Sequence, residues 1–197
     1  MQKLKWQNAT NLGSKNYTCG YCGSPIASEK GWASNNNHGQ IFLCHKCTRP
    51  TFIDNTQGAK QYPGVVFGDP VSDIPEKSVA TLYDEARKCT GAGAYTAAVL
   101  CCRKLLMHIS VSKDADKGQS FVYYVNYLAE KHYVPPDAKD WVDHIRQKGN
   151  EANHEIAIMP KEEAEELLSF SEMLLKIIFE FPATVKKKYT SKDQTNT

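Results

Sequence analysis

At 197 residues the chain has room for one ordinary domain and a small appendage. A net charge of +2, a pI near 8.1 and a mean hydropathy of −0.51 exclude a strongly basic protein that grips nucleic acid by charge alone. No apolar run approaches the roughly 18 residues that a membrane span needs, and the polar first twenty residues carry no secretory pattern. The expectation is a cytoplasmic protein without a membrane partner.

Of the seven cysteines, four form two C-x-x-C pairs, Cys19-Gly-Tyr-Cys22 and Cys44-His-Lys-Cys47, separated by 21 residues. The pairs continue as Gly-Ser-Pro and Thr-Arg-Pro, turn-forming surroundings in which backbone amides can curl toward sulfur. The separation slightly exceeds the usual range of about 15 to 20, yet four thiolates so spaced predict one tetrahedral Zn²⁺ site. His38 and His45 are spare ligands. A closed four-sulfur shell leaves no position for water, so the expected metal is structural rather than hydrolytic. It would hold a segment of roughly 60 residues too short to bury an adequate core. Short strands are expected over Gly39–Phe42 and near Phe52. Lys3, Lys5, Lys15, Lys30, Lys46 and Arg49 give this segment a diffuse basic background.

The first module should end at residue 61, with Pro63, Gly64, Gly68, Pro70 and Pro75 marking a linker over 62–75. Helices follow over 76–189. The first carries Val79, Leu82, Tyr83 and Ala86 at spacings of three and four, and Gly91 and Gly93 stop it. The second, from Ala94 to Val111, is apolar or small over much of its circumference and should be the most buried. Cys89, Cys101 and Cys102 fall in these helices, where a free cysteine acts as a small hydrophobe in a reducing compartment. A third helix holds Phe121, Tyr124, Val125 and Leu128. A fourth starts after Pro135-Pro136, with Val142, Ile145, Gly149 and Ala152 as a narrow stripe. The fifth begins at Pro160, where Glu162, Glu163, Glu165 and Glu166 suit the positive helix end, and Pro182 should terminate it. Residues 190–197 are expected to be a disordered tail, and Lys186-Lys187-Lys188 is a local basic patch or a solvated run. No internal repeat or phosphate-cradling glycine loop is visible. The fold class expected from this pattern is mainly α, about five helices with a small N-terminal ribbon of short β-strands.

On the fourth helix Arg146, Asn150 and His154 recur every four residues, about 40° apart, so all three can project to one side. A guanidinium can hold a phosphate, an amide can orient a ribose, and an imidazole can move a proton near neutral pH, the parts of a metal-independent ribonuclease. The same three side chains can equally serve the fold: His154 as a cap, Asn150 across a helix pair, Arg146 with Asp143. Glu151 and Glu155 would oppose a polyanion. A second pair, Arg103 and His108, is separated by about 140° around a continuous helix, and the Leu105-Leu106-Met107 between them reads as core.

Residues from about Val79 to Lys187 resemble the domain-of-unknown-function 4145 family. The resemblance rests on Tyr83-Asp-Glu-Ala-Arg-Lys, Gly93-Ala-Tyr-Thr-Ala-Ala, Trp141-Val-Asp-His-Ile-Arg-Gln-Lys-Gly-Asn-Glu-Ala-Asn-His154 and Glu162-Glu-Ala-Glu-Glu-Leu-Leu168. It implies a HEPN-like helical bundle, commonly dimeric, beside a zinc-ribbon-like segment. It also implies a nucleic-acid-directed effector or accessory protein in prokaryotic defence or restriction, binding or cleaving RNA, or acting on DNA, with a defence-system protein as partner. The HEPN motif has four to six residues between an arginine and its histidine. Counted back from His154, those positions hold Gly149, Lys148 and Gln147, while Arg146 lies just outside and Arg103 to His108 meets the spacing. Whether the protein is an enzyme is left open by that departure. The alternative is a non-catalytic dimeric scaffold that recruits a protein through the ribbon.

Overall fold

The computed structural model describes residues 3–135, 140–145 and 158–193. Among these, 47% are helical and 18% lie in a five-stranded antiparallel sheet, so the fold is α+β and not the mainly α arrangement expected above. The correction comes from the N-terminus. Strands β1 (Thr10–Thr18) and β2 (Pro25–Ala33) are nine residues each, although TNLGSKNYT and PIASEKGWA lack the apolar alternation by which strands are read. Exposed sheet residues need no apolar side chain, so the sequence conceals them. The chain divides into two compact units, one up to Val66 and one from Phe67 onwards apart from Gly91–Gly93.

The first unit is a meander in the order β1-β2-β3-β4-β5, with β3 at Gly39–Leu43, β4 at Pro50–Asp54 and β5 at Lys60–Tyr62. A register irregularity in β1 lies between Asn11 and Lys15. Residues directly opposite one another share a face of an antiparallel sheet. Phe42 and Thr51 are such a pair, and with Ile53 they form the buried face, where the Tyr17 ring lies 6.3 Å from Phe42. On the other face the pairs Trp32–Ile41, Ile41–Phe52 and Phe52–Tyr62 run as one row across four strands.

The second unit is built on α1 (Lys77–Gly91), α2 (Tyr95–Ser112), α3 (Phe121–Glu130), α4 (Lys161–Leu175) and α5 (Phe181–Asp193), and residues 140–145 are also helical. The reading of α2 as the central helix agrees with its fully buried Ala98, Cys102, Leu105, Leu106 and Ile109, and α2 packs on α3 and α4. Its Ser110 hydroxyl, also buried, donates to the carbonyls of Leu106 and Tyr124, which satisfies it without water. Pro182 does not end the last helix. A π-helical stretch, Lys176–Glu180, precedes it, and α5 carries on through the proline. Proline interrupts a helix because it lacks an N–H and crowds the carbonyl four residues back, and a local wider turn relieves both demands. Among the described residues no helix is long and apolar enough to cross a membrane.

Residues 67–74 form a strap on this helical unit. Phe67, Val71 and Ile74 pack on its core, while Arg87 Nε and Nη2 donate to the Gly68 carbonyl at 3.2 and 2.8 Å. The Glu172 carboxylate accepts from the Asp69 amide (2.9 Å), the Tyr83 hydroxyl (3.3 Å) and Lys176 Nζ (2.5 Å). That last bond raises the Lys176 ammonium above its ordinary value, and burial followed by the Glu172 charge pushes the Tyr83 phenol up. Glu172→Ala should therefore cost about 1 to 2 kcal/mol, because it strands the Asp69 amide and leaves Lys176 only the more distant Asp69 carboxylate (3.7 Å), while the Tyr83 hydroxyl keeps its bond to the Asp69 carbonyl (2.7 Å). A urea midpoint within error of wild type would show that the strap is held by its apolar contacts alone.

Candidate metal centre

The loops that join β1 to β2 and β3 to β4 are two copies of one turn. Each closes a hairpin, with Thr18 opposite Pro25 in the first and Leu43 opposite Pro50 in the second. In the first, the Cys19 amide donates to the Ser24 carbonyl (2.9 Å) and the Gly23 amide to the Cys19 carbonyl (2.8 Å). In the second, Cys44 donates to Arg49 (3.0 Å) and Thr48 to Cys44 (2.7 Å), at the same offsets. Both turns reverse through a left-handed residue at the fifth position, Gly23 at φ 66° and Thr48 at φ 60°. Glycine adopts this region freely, and threonine does so at a steric cost. The Thr48 side chain is anchored in compensation: its hydroxyl accepts from the Leu4 amide (2.7 Å) and donates to the Cys47 carbonyl (2.7 Å). The sequence thus holds a short structural duplication, C-x-x-C-x-x-P, where no internal repeat was expected.

The duplication brings four sulfurs together. Cys19 Sγ is 3.7 Å from Cys47 Sγ, Cys22 Sγ is 3.8 Å from Cys44 Sγ, and all four ligand atoms lie within 4.8 Å of one another. A tetrahedron with metal–sulfur bonds of about 2.3 Å has edges of about 3.8 Å, which the two cross-turn pairs match. The close pairs are formed between the turns rather than within them, so a bound ion would tie one hairpin to the other. The Cys47 amide donates to Cys44 Sγ (3.4 Å), as turns around a thiolate do.

Burial pushes the Cys19 thiol up to about 12 and raises Cys47 as well. At Cys22 burial also opposes ionisation, but hydrogen bonding from the Ser24 hydroxyl and amide prevails and brings it down to about 7. The Tyr17 phenol beside them is pushed up to about 12 by its burial, with the charge of Cys19, Cys44 and Cys47 adding to the effect. Buried thiols that resist ionising need a cation to become thiolates together. Outside the sulfurs, Lys46 Nζ donates to Ser24 Oγ (2.7 Å) and the Arg49 guanidinium lies 5.3 Å from the Tyr21 ring centre, each contact joining the two turns.

The ligand cluster contains the four cysteines and neither spare histidine. His38 is instead within 3.0 Å of the Asn36 side-chain amide. Sequence reasoning missed Trp6, whose indole N–H donates to the Thr48 carbonyl (2.6 Å) while its ring meets Trp32 edge-on at 5.7 Å. Nothing in its flanking residues signals this, because the contact depends on how the N-terminal segment folds back onto the second turn.

Arg146, Asn150 and His154, with Gln147, Lys148 and Gly149, lie outside the described residues. The alternative pair sits in two different environments. Arg103 is 6% exposed, its guanidinium 4.2 Å from the Phe121 ring centre and depressed by burial, whereas His108 is half-exposed and paired with Glu76 at 2.9 Å. These two side chains serve opposite demands, one packing and one surface pairing. Nearby, His144 pairs with Glu166 at 2.8 Å.

The model of a family described as a domain of unknown function, DUF4145, matches residues 84–193. The chain belongs to the DUF4145 family. The DUF4145 match begins within α1 and runs to the end of α5, so all four clustered cysteines lie outside it. No curated protein and no solved structure matches the chain significantly.

Proposed function

We propose that this DUF4145 protein is a HEPN-like, nucleic-acid-directed effector or accessory protein of a prokaryotic defence or restriction system, with an N-terminal ribbon held by structural Zn²⁺. Cys19, Cys22, Cys44 and Cys47 would supply the ion's four thiolates, and the ion would supply the cross-link that so small a unit lacks. The observation that carries nucleic-acid binding is the uneven charge. Residues 1–66 hold seven Lys and Arg against two Asp and Glu, while the remainder holds 17 against 20. Even after subtracting the net −2 of a zinc tetrathiolate, the ribbon keeps about three positive charges, enough to engage about three phosphates. The helical unit is acidic and would serve pairing of two chains or a protein partner. Cleavage, where it occurs, would fall to Arg146, Asn150 and His154 on the strength of the family resemblance.

The test is a titration of single-stranded RNA and DNA with intact, zinc-loaded protein across a range of salt. Binding whose logarithm falls against log salt with a slope of about −2 is expected. An RNA cleavage assay run in parallel should lose activity in His154→Ala and Arg146→Ala while binding persists. Absence of salt-dependent binding to either polymer would reject this reading in favour of a protein-recruiting scaffold.

A further inference from the structure

The ribbon's outer face carries a row that the metal site does not use. Trp32, Ile41, Phe52 and Tyr62 stand directly opposite one another on β2, β3, β4 and β5, and Trp6 extends the row by its contact with Trp32. Strands lie about 4.8 Å apart, so the row from Trp32 to Tyr62 is about 14 Å long. Phe52 and Tyr62 are stacked, with centroids 6.2 Å apart and planes at 27°, and Trp6, Phe52 and Tyr62 are 41, 39 and 41% exposed. Single exposed rings are ordinary on a protein surface, whereas a contiguous exposed row of them marks an interaction surface.

On one side of the row the same face continues as Gly39, Asp54 and Lys60, which offer no apolar surface, and on the other as the half-buried pair Leu43 and Pro50, so the apolar strip is narrow and one of its edges is charged. Lys60 Nζ lies 5.4 Å from the Tyr62 ring centre, placing a cation at the end of the strip. Asp54, the sole acid between Gly39 and Tyr62, stands opposite Lys60 and feels its charge, and its carboxylate accepts from the Thr56 amide (2.9 Å) and hydroxyl (2.6 Å). A line of ring faces, a cation beside the terminal ring, and a basic surround match a chain that alternates flat bases with phosphates.

We infer that the row Trp6–Trp32–Ile41–Phe52–Tyr62 is a stacking platform for about three or four nucleotides of single-stranded nucleic acid, with Lys60 pairing to a phosphate at its end. The inference rests on the nucleic-acid reading above and gives it a location. Stacking and phosphate pairing do not read the 2′-hydroxyl, so RNA and DNA should bind within a few-fold of one another.

The experiment is fluorescence anisotropy of labelled oligo(U) and oligo(dT) with the intact zinc-loaded protein. Phe52→Ala and Tyr62→Ala should each weaken binding about tenfold at unchanged salt slope, while Tyr62→Phe keeps wild-type affinity. Lys60→Ala should instead reduce the slope by about 0.7. Zinc content and tryptophan emission verify that each ribbon is intact, and Lys60→Ala decides the question if an alanine variant loses its metal. Wild-type binding that survives every substitution would overturn the platform and leave nucleic-acid binding standing. A wild-type protein that binds neither oligonucleotide overturns both.

Discussion

Treating the zinc-loaded protein with a chelator at neutral pH is expected to unfold the ribbon and leave the helical unit folded. Structural zinc sites of this kind contribute about 10 to 16 kcal/mol at pH 7, more than a small domain's entire stability. The ribbon has little to set against that loss. Its cluster of Cys19, Ile26, Cys44 and Cys47, with Tyr17 and Cys22 against them, is made mostly of the ligands themselves, and beside it the buried sheet face offers Phe42 and Ile53 as its large apolar side chains. The helical core, by contrast, contains none of the four. Tryptophan emission should shift to the red as Trp6 leaves the Thr48 carbonyl and Trp32 loses its neighbour. Trp141, edge-on to Phe170 at 5.0 Å, should be unaffected, and the helical circular dichroism should persist. Cys44→Ser should give the same state without chelator, and the untreated protein should carry about one zinc per chain. The pH dependence follows from the ligands: the unfolded, metal-free segment carries four protonated thiols and the ion binds thiolates, so metal binding releases protons and affinity falls as pH is lowered. A metal-free ribbon with unaltered emission would refute the structural role.

The four-cysteine cluster was legible because its chemistry is local. Two C-x-x-C pairs and two following prolines specify ligands and turns within a few residues, and only the tetrahedral closure depends on the rest of the fold. Helices were legible for a similar reason, since Val79, Tyr83 and Ala86 announce a buried stripe within three turns. Where periodicity is absent, reading fails. β1 offers Leu12 and Tyr17 as its large apolar residues, and its strand character resides in backbone pairing with β2 rather than in side chains. That α2 is apolar or small over much of its circumference does not tell which of those positions is exposed, and Leu100 is 46% exposed. The outer aromatic row was invisible for a different reason. Trp32, Ile41, Phe52 and Tyr62 are nine to eleven positions apart in sequence and become neighbours only once the registers of three strand pairs are known.

Gly31→Ala shows how far register can override propensity. Alanine is ordinarily the better strand residue, and by sequence alone the change in β2 should be neutral or mildly stabilising. The backbone forbids it. Gly31 pairs with Thr10 on one side and Phe42 on the other, and a Cβ there would overlap the Ile41 carbonyl oxygen and sit 2.8 Å from its carbon and 3.2 Å from Phe42 Cα. These are main-chain atoms already committed to the ladder, so no rotamer change can clear them. β2 must separate from β3, which breaks the pairing of Trp32 with Ile41 and removes the Trp32 end of the outer row. It also loosens the link between the two cysteine turns, since β2 leaves the first and β3 enters the second. The ribbon should lose at least about 3 kcal/mol, shed zinc at chelator concentrations that wild type withstands, and show a lowered urea midpoint in Trp6 and Trp32 emission. The helical transition should not move, because the strained atoms all lie in the other unit. A Gly31→Ala protein with wild-type zinc retention and midpoint would mean that β2 and β3 approach less closely than this register requires.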